Sequence, residues 1–409
     1  MKNNLPDIYY FNPTCEYAVA NGNASWQPNR LLQKMEADLE TLPVYFSSHE
    51  DVVLVRKAPA SAYLDSLDKL SIQAPHFENL HHFSANKAFI EKAKNRLKPW
   101  GWSPAAHKLL QPLKPFCSEQ FKKSPVSIWR PEYREIYSKK FALDILKQVL
   151  PLLPAGQVIE RGMIAEVCTT KQEIEELIKR WGQLMVKAPW SSSGRGLQPV
   201  TKTPVIPKVW EKLLGMVKEQ GYVIVEPLLP KVMDMSLQFE LTGKSIRYIG
   251  ISRFMTDQKG QYQGNYLNGW PETFDKQEII FAEMMAGQLA PILAQVLEKS
   301  KLAECYEGNF GVDTLIYKDL SGTLRINPCL EMNVRQNMGL LSLTLEKILP
   351  PNVKGIYRTW FDKSSNFLTF SEAMTKQHPA HFGTGSLMSG YFALTPANHN
   401  TLFGAYLMV

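Results

Sequence analysis

The sequence contains few cysteines, and their arrangement would form neither a disulfide framework nor a zinc site. Its five cysteines are widely separated, and none belongs to a Cys-x-x-Cys pair. Scattered cysteines in odd number are typical of reduced thiols in a cytoplasm. The eight histidines form no metal-spaced pair either, since His81 and His82 are adjacent. These absences argue against a secreted scaffold and a zinc protein, and they predict a cytoplasmic location.

Long apolar runs are also missing. No run approaches the roughly 18 apolar residues that a transmembrane helix needs. The N-terminal residues lead directly into a short apolar run at 8–11, without the longer stretch of a signal peptide. We therefore expect no membrane partner.

A concentrated basic stripe with interleaved aromatic residues, as nucleic-acid binding requires, is not evident. The net charge of +7 over 409 residues is modest and suits either anionic substrates or a mildly basic surface. The strongest basic segment is 92–102, which we interpret as a helix C-terminus followed by a turn, because cations are favoured in a last helical turn. We expect no nucleic-acid partner.

The length predicts two or three domains, and the first of them has an α/β pattern. Short apolar runs at 8–11 and 51–56 flank a segment, 30–42, with helical spacing. Strand, helix and strand in this order predict a βαβ unit. Because ligands in open α/β sheets bind beyond the strand C-termini, Asn12 and Glu16 are candidates to contact substrate, with a turn and helix cap as the alternative. No Gly-x-Gly-x-x-Gly motif indicates a dinucleotide site.

A phosphate-binding loop is predicted after the apolar strand that ends in Lys187. Hydroxyls, glycine backbone and an arginine follow the strand, and such loops cradle phosphate oxygens while the lysine adds a point charge. A flexible Ser/Gly linker is the alternative. Upstream, a helix is predicted over 138–149, with two lysines, Lys139 and Lys140, in its first turn. The loop residues are Ser191, Ser192, Ser193, Gly194, Arg195 and Gly196.

The next signals are weaker and concern a nucleoside. A strand over 222–228 runs into the break Glu226-Pro227-Leu228, whose backbone could hydrogen-bond an adenine. Asp234 follows eight residues after Glu226 and could accept a hydrogen bond from a ribose hydroxyl. Beyond it, two strands predict a hairpin that turns at Gly243-Lys244.

The most informative stretch, Gly311–Gly339, reads as two strands joined by a turn. Asp313 lies in the first strand, and Glu331, Asn333 and Arg335 alternate along the second. Residues two apart on a strand share a face. A carboxylate and an amide oxygen suit Mg²⁺, which keeps substrate phosphates among its ligands, and an arginine can hold an oxyanion through two hydrogen bonds. An amphipathic edge strand with a solvated face is the alternative.

Taken together, these elements resemble the ATP-grasp superfamily, the fold of biotin carboxylase and D-alanine–D-alanine ligase. The resemblance covers roughly residues 129–345 and, more loosely, the N-terminal domain. The segment 331–335, Glu-Met-Asn-Val-Arg, is close to the Glu-Met-Asn-Pro-Arg motif of the carboxylase branch. The implied fold is an open α/β pre-ATP-grasp domain (1–128), a lid subdomain (129–225) and a core subdomain with a C-terminal extension (226–409), mixing α/β and α+β classes.

The resemblance also implies roles for individual residues. It makes Arg335 and Lys187 catalytic, and it assigns the nucleotide to the two helix lysines, Lys187, the loop 191–196, Glu226, Leu228 and Asp234. It assigns the metal to Asp313, Glu331 and Asn333. Eighteen positions separate Asp313 from Glu331, more than is usual in the family, and Asn327 within that gap is a substitute ligand.

The implied activity is that of an ATP- and Mg²⁺-dependent ligase, with Mn²⁺ as an alternative metal. A substrate carboxylate would be activated as an acyl phosphate and then coupled to an amine or a similar nucleophile. A small-molecule kinase on the same scaffold and a non-catalytic nucleotide-binding protein are the alternatives. The expected partners are a small carboxylate and an amine, and the resemblance allows a homodimer.

Overall fold

A computed structural model describes residues 5–191, 196–257 and 260–409 of the chain. Its strands are β1 (Ile8–Tyr10), β2 (Val52–Val55), β3 (His76–Asn79), β4 (Leu97–Pro99), β5 (Glu166–Cys168), β6 (Leu184–Lys187), β7 (Leu197–Val200), β8 (Val223–Pro227), β9 (Lys231–Thr242), β10 (Ser245–Thr256), β11 (Tyr262–Leu267), β12 (Gly308–Lys318), β13 (Leu324–Asn333), β14 (Gly355–Phe361), β15 (His381–Gly383), β16 (Ser386–Ser389), β17 (Tyr391–Ala393) and β18 (Phe403–Met408). Its α-helices are α1 (Cys15–Asn21), α2 (Arg30–Asp38), α3 (Ser61–Asp68), α4 (Lys87–Glu91), α5 (Pro104–Leu110), α6 (Glu119–Lys123), α7 (Lys139–Val149), α8 (Lys171–Trp181), α9 (Pro207–Gln220), α10 (Lys276–Glu298), α11 (Leu302–Cys305), α12 (Met338–Leu345) and α13 (Phe367–Gln377).

The N-terminal part is built on a parallel sheet of order β3-β2-β1-β4, as the strand–helix–strand pattern predicts. Helix α2 crosses from β1 to β2 and begins at a cap in which Asn29 accepts a hydrogen bond from the Leu32 backbone. Parallel strands require such a crossover connection.

The interpretation of residues 92–102 as the end of a basic helix is wrong. Helix α4 ends at Glu91, and Leu97–Pro99 form β4, which pairs with β1. Lys94 is buried, and its ammonium group donates to the backbone carbonyls of Phe89 and Ile90. The segment was misread because buried carbonyl groups satisfy a lysine that the sequence alone suggests is on a basic surface.

The central feature is an antiparallel sheet of order β13-β12-β9-β10-β11-β14-β18-β17. Alternation along β9 gives the sheet two different faces: Met235 and Leu237 enter the hydrophobic core, whereas Asp234, Ser236 and Gln238 line a cavity on the other side. Helices α7 and α10 contribute to the core face. The cavity face therefore carries the polar chemistry.

Helix α10 is the one described helix that is long and apolar enough to cross a membrane by length and composition. Its inner side, which includes Met285, Leu289 and Leu293, is fully buried in the core against the central sheet. The helix therefore packs as a core helix does in this structure.

A smaller antiparallel sheet of order β5-β8-β6-β7, covered by α8 and α9, has a hydrophobic core of its own. That core runs from Cys168 to Val225 in the sequence. The domain boundaries at 128 and 225 stay predictions.

The C-terminal segment extends the central sheet through β18 and β17. It also joins the N-terminal domain: the hydroxyls of Tyr45 and Tyr63 both donate to the Leu394 carbonyl. Asp38, at the end of α2, accepts from the backbone N–H groups of Leu402 and Phe403. The two ends of the chain are thus packed together beside the cavity. The five cysteines are buried and free.

Candidate active site

The hairpin of β12 and β13 brings the predicted metal ligands together. Asp313 pairs directly with Glu331 across the hairpin, whereas Leu315 pairs with Asn327. The register shifts between these pairs, so that the three residues 328–330 lie opposite Thr314. The bulge adds two residues to the sequence gap between the two acids and still leaves them paired.

The surroundings of the two paired acids change the pKa of each. Burial, followed by the neighbouring charge of Glu331, raises the pKa of Asp313 to about 7. Asn333 Nδ2 donates to Asp313 Oδ2 at 3.0 Å. Burial opposes ionisation of Glu331 as well, but Lys139 and Lys187 together hold its pKa below the ordinary value. A carboxylate pair of this kind attracts a cation.

These oxygens fit Mg²⁺ only as part of a shared coordination set. Within residues 5–191, 196–257 and 260–409, no group of three or more His, Cys, Asp or Glu side chains is placed to hold a metal. Two carboxylates and an amide oxygen, from Asp313, Glu331 and Asn333, are nevertheless hard ligands on one cavity wall. Mg²⁺ is commonly held by one or two carboxylates together with substrate phosphates and water. The donor set therefore fits a metal that arrives with a phosphate ligand.

Of the two helix lysines, only Lys139 lies in the cavity. Ser138 caps α7 through the Phe141 backbone, and Lys139 Nζ then contacts Glu331 Oε1 at 2.5 Å and the Ser191 carbonyl at 3.0 Å. Lys140 is turned outward and pairs with Asp144 on the helix surface at 2.9 Å. Successive residues on a helix point about 100° apart, so only one of the two can face the cavity. The assignment of Lys140 to the nucleotide does not fit this placement.

The second cavity lysine, Lys187, is buried at the end of β6. Its ammonium group lies 2.6 Å from Glu226 Oε1 on the neighbouring strand β8. Burial raises the pKa of Glu226, while Lys187 opposes that rise. Two lysine–carboxylate pairs, Lys139–Glu331 and Lys187–Glu226, therefore face the same space.

The predicted phosphate loop is described only at its two ends. Ser191 is buried and lines the cavity. Gly196 has a φ of 93°, and a Cβ there would lie 2.6 Å from Ser191 Cβ. A glycine is thus required where the loop closes. The residues between them, Ser192, Ser193, Gly194 and Arg195, lie outside the described part of the chain.

The two residues predicted to contact the nucleoside, Leu228 and Asp234, already make hydrogen bonds within the protein. Leu228 lines the cavity, but its backbone N–H already donates to the Gln183 carbonyl at 3.0 Å. Asp234 Oδ2 accepts from Lys231 Nζ at 2.6 Å and from the Thr256 hydroxyl at 2.8 Å. Both residues border the cavity, although part of their hydrogen-bonding capacity is already used within the protein.

A group of apolar side chains that line the cavity was not predicted from the sequence. Ligand sites are usually lined by apolar and aromatic side chains with a few polar groups, so this part of the wall suits a base ring. No local motif marks these residues, because they come from four separated segments. They are Ile159, Met163, Met185, Leu315 and Leu330.

Arg335 lies next to Asn333 on the cavity wall and is held in place by the N-terminal domain. Its Nε donates to Glu16 Oε1 at 2.9 Å, and its Nη2 donates to Asn333 Oδ1 at 2.8 Å. Although burial disfavours the charged guanidinium, Glu16 raises the pKa of Arg335 above its ordinary value. Glu16 thus contacts the site through Arg335. The Asn12 side chain instead forms hydrogen bonds with the Gly101 backbone and stabilises the turn.

The cavity that joins these groups has a volume of about 1040 Å³. It runs from the lysines, past the acids and Arg335, to the C-terminal strands β14 and β18. Asn265 of β11 is fully buried and donates to the Ser252 hydroxyl at 2.7 Å.

Comparisons with known proteins add evidence on the fold. Neither a scan of protein-family models nor a search of curated proteins found a match. Among solved structures, a biotin carboxylase–beta-gamma-ATP complex from Campylobacter jejuni aligns with a TM-score of 0.51 and 13% identity, covering 99% of this chain and 87% of that chain. The chain has the ATP-grasp fold. The predicted fold class is confirmed.

Two further solved structures align with this chain at lower scores. N5-carboxyaminoimidazole synthetase from Staphylococcus aureus, complexed with ADP, aligns with a TM-score of 0.48 and 12% identity over 99% of this chain and 93% of that chain. D-alanyl-alanine synthetase A from Vibrio cholerae aligns with a TM-score of 0.37 and 11% identity over 62% of this chain and 71% of that chain.

Proposed function

We propose that the protein is an ATP- and Mg²⁺-dependent ligase that activates a carboxylate as an acyl phosphate and couples it to an amine or a similar nucleophile. The observation that carries this proposal is the row of groups in one cavity. Two buried lysines, a pair of acids with Asn333, and Arg335 follow one another along its wall. Phosphoryl transfer depends mainly on positioning and charge neutralisation, which this row supplies.

In this proposal each residue acts by its charge and position. Lys139 and Lys187 leave their carboxylate partners to hold the nucleotide phosphates. Asp313, Glu331 and Asn333 would hold Mg²⁺, which, when bound, neutralises the β- and γ-phosphate charge during transfer. Arg335 holds the substrate carboxylate and then the acyl phosphate through a bidentate hydrogen-bond pair.

The sheet and the lid supply the second requirement, the exclusion of water. An acyl phosphate hydrolyses if water reaches it, so the site must be closed while the intermediate exists. The cavity lies between the central sheet and the small sheet that carries Lys187, with Leu197 of β7 packed near Gly260. Movement of the small sheet would open and close the nucleotide end.

The proposal is tested by a turnover screen with Mg·ATP, pooled small carboxylates and pooled amines, scored for ADP and for the mass of a coupled product. A ligase gives ADP, phosphate and a coupled product, whereas a kinase gives ADP and a stable phosphoester. Absence of ADP from every pool, together with absence of a thermal shift by nucleotide, would refute both.

Two variants separate the proposed roles. Lys187→Ala should weaken ATP binding, because a phosphate contact is lost. Arg335→Ala should leave ATP binding intact and abolish turnover, because the carboxylate is no longer held. Equal loss of ATP affinity in both variants, measured by calorimetry, would contradict the assignment.

A cytoplasmic location and a homodimer stay predictions.

A further inference from the structure

The end of the cavity beyond Arg335 is apolar, in contrast to the charged nucleotide end. Three parts of the chain build it: α2 and the residue that follows it, the antiparallel sheet, and the start of α12. We call this group the apolar mouth. Its members are Met35, Leu39, Phe254, Met338, Phe361 and Phe403.

Two phenylalanines on neighbouring strands form a preorganised part of the apolar mouth. Phe361 of β14 pairs with Phe403 of β18, and their rings stack with centroids 4.3 Å apart and planes inclined by 11°. Phe403 is 8% exposed, whereas Phe361 is 40% exposed. An exposed aromatic ring held by a buried one offers apolar contact area without having to be ordered on binding.

The charged groups at this end favour an anion. Arg335 borders the apolar mouth on its inner side. Arg358 of β14 also borders the cavity, but it lies three positions from Phe361 and so on the other face of that strand, where its Nη2 is 4.0 Å from Met255 Sδ. Asp257 on the hairpin rim accepts the backbone N–H of Gln261. Of the five N–H groups of Arg335, three donate to Glu16, Gln336 and Asn333, which leaves two that suit a carboxylate better than an ammonium ion.

The size of the cavity leaves room for two ligands. At about 1040 Å³, it reaches the upper end of the range for a single small-molecule site, roughly 300–1,000 Å³. A nucleotide at the lysine end therefore leaves space beyond Arg335 for a second molecule.

Building on the proposed function, we infer that the carboxylate substrate carries a bulky apolar group, aromatic or branched aliphatic, which packs in the apolar mouth while Arg335 holds its carboxylate. Each methylene that moves from water into such a surface favours binding by about fourfold. The site therefore selects large apolar acids over acetate and over polar acids of the same length.

The test measures kcat/KM for ADP release with a series of acids: acetate, butanoate, 4-methylpentanoate and 3-phenylpropanoate, with glutarate as the polar comparison. For the full chain we expect kcat/KM to rise along the apolar series and to be low for glutarate. Phe361→Ala should reduce the ratio of 3-phenylpropanoate to acetate at least fivefold. Leu214→Ala, a similarly exposed residue on α9 at 38% exposure, is the matched control and should leave that ratio unchanged.

A second variant protects the test against misfolding of the first. Phe254→Trp fills part of the apolar mouth and should shift the preference toward shorter acids. A flat series, a preference for glutarate, or equal ratios in Phe361→Ala and Leu214→Ala would overturn the inference and leave the ligase activity standing. If no acid gives ADP while ATP still binds, the proposed function fails, and this inference fails with it.

Discussion

Replacement of Glu16 tests whether the N-terminal domain holds Arg335 in position. The two side chains meet at 2.9 Å and are nearly enclosed, with 11% of Arg335 and 7% of Glu16 exposed. Removal of one partner leaves a buried charge without compensation, which costs about 3–5 kcal/mol. We expect Glu16→Met and Arg335→Met each to lower the free energy of unfolding by about that amount.

The double variant isolates the interaction itself. Because Glu16→Met/Arg335→Met removes both charges, its cost should be at least about 2 kcal/mol smaller than the sum of the two single costs. Urea unfolding of the four proteins provides the cycle.

The control pair is Lys140–Asp144, which has a similar separation of 2.9 Å but is 44% and 42% exposed. Its coupling should stay near 0.5 kcal/mol or less, as exposed helix pairs do. If the Glu16–Arg335 coupling does not exceed that of the control, the reasoning about Arg335 is refuted.

Three further predictions concern single positions. Lys139→Ala should weaken ATP binding at least tenfold by calorimetry, whereas Lys140→Ala should change it less than twofold, since only Lys139 lies in the cavity. Burial lowers the pKa of His107 to about 3. Below pH 6.5 the unfolded chain therefore binds one more proton at this residue than the folded chain, and the free energy of unfolding decreases as the pH is lowered. At pH 5 this loss is about 2 kcal/mol, and His107→Leu should remove it in urea unfolding. Gly339→Ala places a Cβ 2.6 Å from Gln238 Nε2 and should cost about 1–3 kcal/mol, whereas Gly287→Ala, where a Cβ meets nothing within 4 Å, should stabilise slightly in the same assay.

The sequence was most informative where function depends on residues close together in the chain. The alternation of Glu331, Asn333 and Arg335 predicted a shared face, and all three line the cavity, although Arg335 lies two residues beyond the end of β13. Strand periodicity is local, so it can be read without knowledge of the fold. The same holds for Lys187, which ends an apolar strand before the Ser/Gly loop.

Contacts between distant segments could not be predicted. Glu16 meets Arg335 across 319 positions of sequence, and nothing near either residue indicates the other. The choice between Lys139 and Lys140 depends on how α7 docks against β13, which is a matter of tertiary packing. The apolar mouth has the same character, because it combines α2, β10, α12 and the C-terminal strands.

The bulge in the hairpin shows a third kind of limit. Counting residues from Asp313 to Glu331 suggested a mismatch with the family pattern and gave Asn327 as a substitute ligand. The extra residues are absorbed opposite Thr314, and Asp313 still faces Glu331. A register shift of this kind has no signature in a single sequence, although Pro328 within it is compatible with a bulge.

The most direct test of the central claim follows the oxygen atoms of the acid substrate. An acid that supports ADP release is labelled with ¹⁸O in its carboxylate and turned over with unlabelled ATP, and the released phosphate is analysed by mass. If the carboxylate attacks the γ-phosphate and an acyl phosphate then loses phosphate to the amine, each phosphate carries one ¹⁸O from the acid. Phosphate without label, released while ADP forms at the same rate, would contradict activation of the carboxylate as an acyl phosphate.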